Sequence, residues 1–305
     1  MQRSNPIRLA TRRSPLALWQ ANWVADQLRR HEIATELVLL TSQGDTDQAP
    51  IDGTRGVGFF TKRIQQALLD DEADIAVHSL KDLPTEPQPE FHLAAIPPRA
   101  AVADCLISRD GSDFWQLPAG ARIGTGSRRR CSQLLYHRGD LRVSPIRGNV
   151  QSRLQKLHAG DFDAIVLAEA GLTRLEMTEH TGQPFPLTMM LPAPGQGALG
   201  IETRADAETV RKVAALLDDP VTRAAVTAER TLLSHLSGGC LAPIAALSTP
   251  QGRTLHLKAV VLSADGRTQL AHQASGAIDR AAQLGVEVAE RLLHHGAAAL
   301  IAAAR

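Results

Sequence analysis

The sequence predicts an α/β protein made of two doubly wound βαβ domains and a small α+β C-terminal domain. Three observations carry this prediction. The length of 305 residues exceeds what one hydrophobic core serves. Short apolar runs alternate with helical stretches in two successive regions. Beyond Pro220 the pattern changes to a helix, a glycine loop, alternating strands around the turn Ser263 to Arg267, and a long terminal helix. Pro97-Pro98-Arg99 marks a crossing out of the first region. The stretch LPAPGQGALGIE (Leu191 to Glu202), with two prolines and three glycines, marks the return. The boundaries read from these signals are 1–98 with 198–217, then 103–191, then 220–305.

The first region opens with a strand, Ile7 to Thr11, and a helix capped by Ser14 with Pro15 in its first turn. Leu16, Trp19, Trp23 and Leu28 recur at helical spacing and read as its core stripe. A strand over Thr35 to Leu40, a helix over about Thr61 to Asp70 and a short apolar strand, Ala73 to Leu80, follow. In the second region Ala121 to Ser127 is strand then glycine turn, with a helix opening at Arg128. Leu141 to Asn149 is strand then turn, with Asn149 the cap of the next helix, and Asp163 to Leu172 reads as a third strand. This alternation implies mainly parallel sheets with ligands at the C-terminal ends of the strands.

Composition excludes several classes. The 21% of charged residues balance to a net charge of +1, so a polyanion site must come from local clustering. A 3% aromatic content with one tyrosine leaves few platforms for stacking bases, which argues against a nucleic-acid partner. Cys105, Cys131 and Cys240 are widely spaced, with no CxxC pair, so neither a disulfide framework nor a metal site is expected. No apolar run approaches a membrane span, and Arg3, Arg8, Arg12 and Arg13 meet no apolar signal region; the expectation is a cytoplasmic protein.

Candidate chemistry gathers at strand ends. Arg12 and Ser14 follow the first strand; Ser127, Arg129 and Arg130 follow the Gly124 turn; Arg147 follows another strand, Arg153 lies one turn into the next helix, and Arg174 follows the strand that begins at Asp163. Arginine forks and helix N-termini recognise carboxylates, so the set suits a ligand with several acidic groups; each arginine taken singly also reads as a solvated surface side chain. Asp82, at the end of HSLKD (His78 to Asp82), suits stabilising a cationic intermediate, or else caps the turn or pairs with Lys81. His78 reads as a satisfied structural histidine rather than a metal ligand. Cys240 follows Gly238 and Gly239 after a helix. It is either a reachable thiol for covalent attachment or a small buried residue after a helix stop.

Seven motifs in order, ATRRSPLALWQ (Ala10 to Gln20), HSLKD, IGTGSRRR (Ile123 to Arg130), IRGNVQSRL (Ile146 to Leu154), DAIVLAEAGLTRL (Asp163 to Leu175), LPAPGQGALGIE and GGC (Gly238 to Cys240), resemble the porphobilinogen deaminase family over nearly the whole chain. The resemblance implies two lobes like those of periplasmic binding proteins plus a third domain. It implies a cytoplasmic, monomeric transferase, a hydroxymethylbilane synthase. Such an enzyme condenses four molecules of porphobilinogen head to tail and releases ammonia at each step. It further implies a dipyrromethane cofactor held by a thioether to Cys240 and Asp82 as the catalytic carboxylate. Lys81, Ser127, Arg129, Arg130 and Gln196 would contact the cofactor, and Arg12, Ser14, Arg147, Arg153 and Arg174 would bind substrate carboxylates. The chain departs from the family in GTRGVGFF (Gly53 to Phe60), where Val57 stands at a lysine position near Arg55, in Thr41 to Asp45, and at Gly126 and Arg128. The other readings are a two-lobed polycarboxylate-binding protein without chemistry and a catalytically weakened paralogue.

Overall fold

A computed structural model describes residues 5–41, 61–177, 182–237 and 242–304. The chain divides into two compact units. Among the described residues the first comprises 5–41, 61–100 and 198–223, and the second 101–177, 182–197, 224–237 and 242–304.

The first unit is a five-stranded sheet of β1 (Ile7–Arg12), β2 (Thr35–Leu40), β3 (Ile75–Ser79), β4 (Phe91–Ala95) and β10 (Leu199–Arg204), in the order β2-β1-β3-β10-β4. β1 runs parallel to β2 and β3, whereas β10 is antiparallel to β3 and β4. The sheet is therefore mixed rather than mainly parallel, because its fourth strand returns from beyond residue 197. Helix α1 (Pro15–Arg30) starts as predicted: Ser14 Oγ accepts the Ala17 N–H at 3.4 Å, Pro15 occupies the first turn, and Arg29 and Arg30 sit in the last turn, where positive charge is favourable. The stripe differs. Ala17, Gln20, Ala21, Val24, Ala25 and Leu28 are buried, Trp23 is half-buried and packs against the same core, and Leu16 and Trp19 are half-buried on the flank. Small residues let the helix lie close to the sheet, and the tryptophans cover the edge of that contact. Val24 and Leu28 pack with Leu9, Ile75, Val77 and Ile201 on one face of the sheet; helix α2 (Lys62–Leu69) packs Ile64 and Leu68 with Ala10 and Ala76 on the other.

The second unit holds two sheets. One has β5 (Asp104–Ser108), β6 (Arg122–Gly124), β7 (Arg142–Ser144), β8 (Ala164–Ala168) and β9 (Gln183–Pro184), ordered β7-β6-β8-β5-β9. β6 is parallel to β7 and β8, and β5 is antiparallel to β8 and β9. Side chains alternate across it. Leu106, Ile123 and Val166 join Leu134 of α3 (Arg128–His137), and Ile107, Ile165 and Leu167 join Leu154 and Leu157 of α4 (Val150–His158). The apolar run from Asp163 is not one strand. β8 stops at Ala168, and Glu169–Arg174 forms helix α5, with Glu169 in its first turn, where a carboxylate is favoured. β4, β5, β9 and a strand over Ile244–Gln251 are further elements that the sequence pattern does not announce.

The other sheet is the antiparallel β11 (Ile244–Gln251), β12 (Thr254–Leu262) and β13 (Gln269–Ala277). After α6 (Glu208–Ala215) in the first unit come α7 (Pro220–His235), α8 (Ala281–His294) and α9 (Ala297–Ala303). Leu232, Leu284, Val288 and Leu292 of these helices pack on Leu255, Leu257 and Val261 of β12. The opposite face of β12 puts Val260 and Leu262 against Leu191. The architecture is thus α/β with two doubly wound sheets and a small C-terminal sheet with helices.

The β12–β13 turn rests on α3. Gly266 has φ +73°, and a Cβ there would lie 2.5 Å from the Tyr136 nitrogen and 2.7 Å from the Leu135 carbonyl carbon. Gly266→Ala therefore combines left-handed strain with a backbone clash and should lose about 1–3 kcal/mol, read as a lower melting temperature. An unchanged melting temperature would show that the turn is free to move off the helix.

Candidate active site

In the first unit, β1 and β3 are adjacent and parallel, pairing Leu9 with Ile75 and Ala10 with Ala76. Their C-terminal ends therefore emerge side by side. β1 ends at Arg12, and β3 ends at Ser79 and passes into a 3-10 turn, Leu80–Asp82, instead of continuing as strand to Leu80. Arg12 and Asp82 consequently line one pocket with Gln20, Thr61, His78 and Ser79. The strand end is fixed from several sides. Gln20 Nε2 donates to Ser79 Oγ at 2.8 Å, Leu80 N–H to Ala198 O at 3.0 Å, and Leu83 N–H to Leu80 O at 3.2 Å. Ser14 caps α1, and Lys81 sits on the same turn as Asp82.

In the second unit the centre is a residue that the sequence reading missed. Asp104, fully buried at the start of β5, accepts from Arg129 Nη1 at 2.7 Å and from Arg130 Nε and Nη2 at 2.9 and 2.6 Å. Burial alone would raise this carboxyl's pKa. The two guanidiniums outweigh it and hold the group below the usual carboxylate range. Arg129 Nη1 also donates to Leu191 O at 2.7 Å, and Arg130 Nη1 to Val166 O at 3.0 Å. Gln196 Nε2 donates to Asp104 Oδ1 at 3.0 Å and to Val102 O at 2.7 Å. Ser127 caps α3, its Oγ accepting the Arg130 N–H at 3.4 Å. Arg129, Arg130 and Gln196, read from sequence as ligand contacts, are thus engaged with a protein carboxylate. Two guanidiniums around one carboxylate leave one net positive charge. Arg129 Nε is buried with no hydrogen-bond partner among the described residues.

Arg147 lies between β7 and α4. Its Nη1 is likewise buried and unpartnered among the described residues. Its carbonyl accepts from Lys156 Nζ at 3.2 Å, and Arg153 Nε donates to Gly148 O at 2.8 Å. Gly148 has φ +111°, and Asn149 caps α4 by accepting the Ser152 N–H at 2.9 Å. Arg174, in the last turn of α5 rather than after a strand, is 8% exposed and donates to Gly197 O at 2.8 Å. Burial lowers its pKa to about 10, so it stays cationic at neutral pH. A second missed carboxylate is Glu229 on α7, fully buried and accepting the Gly195 and Ser248 N–H groups at 2.7 and 2.8 Å. Its only sequence signal is an acid inside an apolar helical run. Cys240 and the loop Gly53 to Phe60 lie outside the described residues.

The fold is that of an α/β protein with a pocket holding a carboxylate and a cation at the ends of parallel strands in the first unit, and with arginines gathered round a buried carboxylate in the second. Residues 7–212 match the family profile described as "Porphobilinogen deaminase, dipyromethane cofactor binding domain", and residues 223–294 match "Porphobilinogen deaminase, C-terminal domain". A porphobilinogen deaminase of Desulforudis audaxviator is 46% identical over 98% of this chain and 98% of its own. One from Corynebacterium efficiens is 44% identical over 97% of this chain and 99% of its own. The chain belongs to the porphobilinogen deaminase family. Among solved structures, an arginine-specific periplasmic binding protein of Salmonella typhimurium is 13% identical with TM-score 0.40, over 72% of this chain and 94% of that one. The residues present fit a group bearing several carboxylates, since the buried donors Arg129 Nε and Arg147 Nη1 have no partner among the described residues.

Asp104→Asn leaves two buried guanidiniums without their counter-charge and should lose about 3–5 kcal/mol at neutral pH. Asp104's pKa is depressed on folding. Its contribution is therefore present above the unfolded value of about 3.9 and lost as pH falls through the folded value. The gap in melting temperature between wild type and variant should narrow below about pH 4; a gap independent of pH would contradict the ion pairing.

Proposed function

We infer that the protein is an active porphobilinogen deaminase, a transferase that condenses four porphobilinogen molecules head to tail, releases ammonia at each step and finally frees hydroxymethylbilane by hydrolysis, water supplying its hydroxyl. The observation that carries this is the pocket holding Asp82 beside Arg12 at the ends of β3 and β1, in a chain of this family. The near full-length match to porphobilinogen deaminases favours this reading over a polycarboxylate-binding protein without chemistry. The reading takes the chain as three domains, 1–98 with 198–217, 103–191 and 220–305, and as a cytoplasmic monomer without nucleic-acid or membrane partners. Among the described residues no helix is long and apolar enough to cross a membrane.

The dipyrromethane cofactor, attached through the Cys240 sulfur, supplies the pyrrole carbon to which the first substrate unit is joined. Arg12 and Ser14, with Arg147, Arg153 and Arg174, bind acetate and propionate groups of the substrate and growing chain. Lys81, Ser127, Arg129, Arg130 and Gln196 hold the cofactor. The net positive charge around Asp104, and an Arg129 Nε that has no hydrogen-bond partner among the described residues, support that role. As ammonia leaves porphobilinogen, positive charge develops on the pyrrole nitrogen. The Asp82 carboxylate accepts a hydrogen bond from the pyrrole N–H, stabilises that charge and takes up the proton that the attacking pyrrole carbon loses when the new carbon–carbon bond forms.

Release of ammonia and hydroxymethylbilane from porphobilinogen tests the reading, and absence of both would overturn it. Asp82→Asn should keep the cofactor and lower kcat on the order of 10²–10⁴-fold; wild-type kcat would remove Asp82 from the chemistry. Cys240→Ala should melt within a few degrees of the cofactor-free protein and show no turnover, because only the attachment atom is deleted. Normal turnover would refute the attachment site.

A further inference from the structure

We propose that His78, anchored by Glu202, is a positioning residue for the chemistry at Asp82. The inference rests on the reading of Asp82 as the reacting carboxylate. His78 is 5% exposed and lines the same pocket as Asp82, and its Nε2 lies 3.1 Å from Glu202 Oε2. Glu202, on β10, is also 5% exposed, and its other oxygen accepts from Gln65 Nε2 at 3.2 Å. Gln65 belongs to α2, whose remaining inward residues Ile64, Ala67 and Leu68 are apolar.

A carboxylate in such a layer is strongly penalised unless it is hydrogen-bonded, and leucine at 78 and 202 would fill the same space without that penalty. What the polar pair adds is orientation. The contact between His78 Nε2 and the Glu202 carboxylate holds the imidazole's angle in the pocket wall. The neighbouring residue, Ser79, is held on the opposite face of the sheet by Gln20 at 2.8 Å. The last two residues of β3 are thus clamped from both sides, and the 3-10 turn that carries Asp82 begins at the next residue. Freeing the His78 clamp lets that turn shift, and a displacement near 1 Å is enough to lower a rate about 10²-fold.

His78→Leu should lower kcat about 10–100-fold while KM changes less than about threefold, with the cofactor still attached by intact mass. His78→Gln, which keeps an N–H donor near the Nε2 position, should recover most of kcat. Wild-type kcat in His78→Leu, equal loss in both variants, or loss of the cofactor adduct would overturn the proposal, the last by showing a role in assembly. If His78→Leu does not fold, Glu202→Gln decides: a fall in kcat at wild-type melting temperature supports positioning, and unchanged kcat refutes it. Asp82→Asn in the same assay separates the two readings. Full activity there removes the Asp82 assignment, whereas its loss beside a normal His78→Leu removes only the role of His78.

Discussion

The buried ion cluster of Asp104, Arg129 and Arg130 is the constraint on which the second unit's arrangement depends. One carboxylate ties the first residue of β5 to the first turn of α3, and the same side chains hold Leu191 O and Gln196 of the glycine-rich return segment. Gln133 adds a reciprocal pair with the Leu191 backbone, at 2.8 and 3.0 Å. Desolvating three charges nearly cancels their attraction, so such a cluster is poor at adding stability. Its effect is geometric. It sets where two arginines and the return segment lie, and it leaves one net positive charge there.

The same device recurs with other partners. Glu229, fully buried on α7, accepts backbone N–H groups from the return segment and from β11. Glu202 binds His78 and Gln65 behind the Asp82 pocket. In each case an acid with its oxygens satisfied fixes a segment that leads to a residue of the proposed chemistry. α7 precedes Cys240 in the chain, β3 passes into the Asp82 turn, and α3 opens at the paired arginines. Rigid support of this kind suits catalysis that relies on holding charged groups where charge develops.

Much of this was legible in the sequence because its signals are local. The caps Ser14, Ser127 and Asn149 announce helices within three residues of the groups they bind. The first and third strands follow from short apolar runs, to within one residue at their C-terminal ends, and the ordered motifs identify the family. What escaped is non-local. Asp104 and Arg129 are 25 residues apart, and Glu202 lies 124 residues from His78, so no spacing rule joins them. β10 enters the first sheet only after the excursion through 101–197, and its antiparallel direction reflects that return. The α1 stripe was misread because alanines carry little weight in a hydrophobic pattern, although their size is what brings the helix close to the sheet.

The central claim is covalent chain growth at Cys240, and intact mass spectrometry tests it most directly. The purified protein should weigh more than its sequence by one dipyrromethane. A brief exposure to porphobilinogen should add a ladder of species, each heavier by one deaminated pyrrole unit and all mapping to the peptide that contains Cys240. A single unmodified mass before and after substrate would contradict the account.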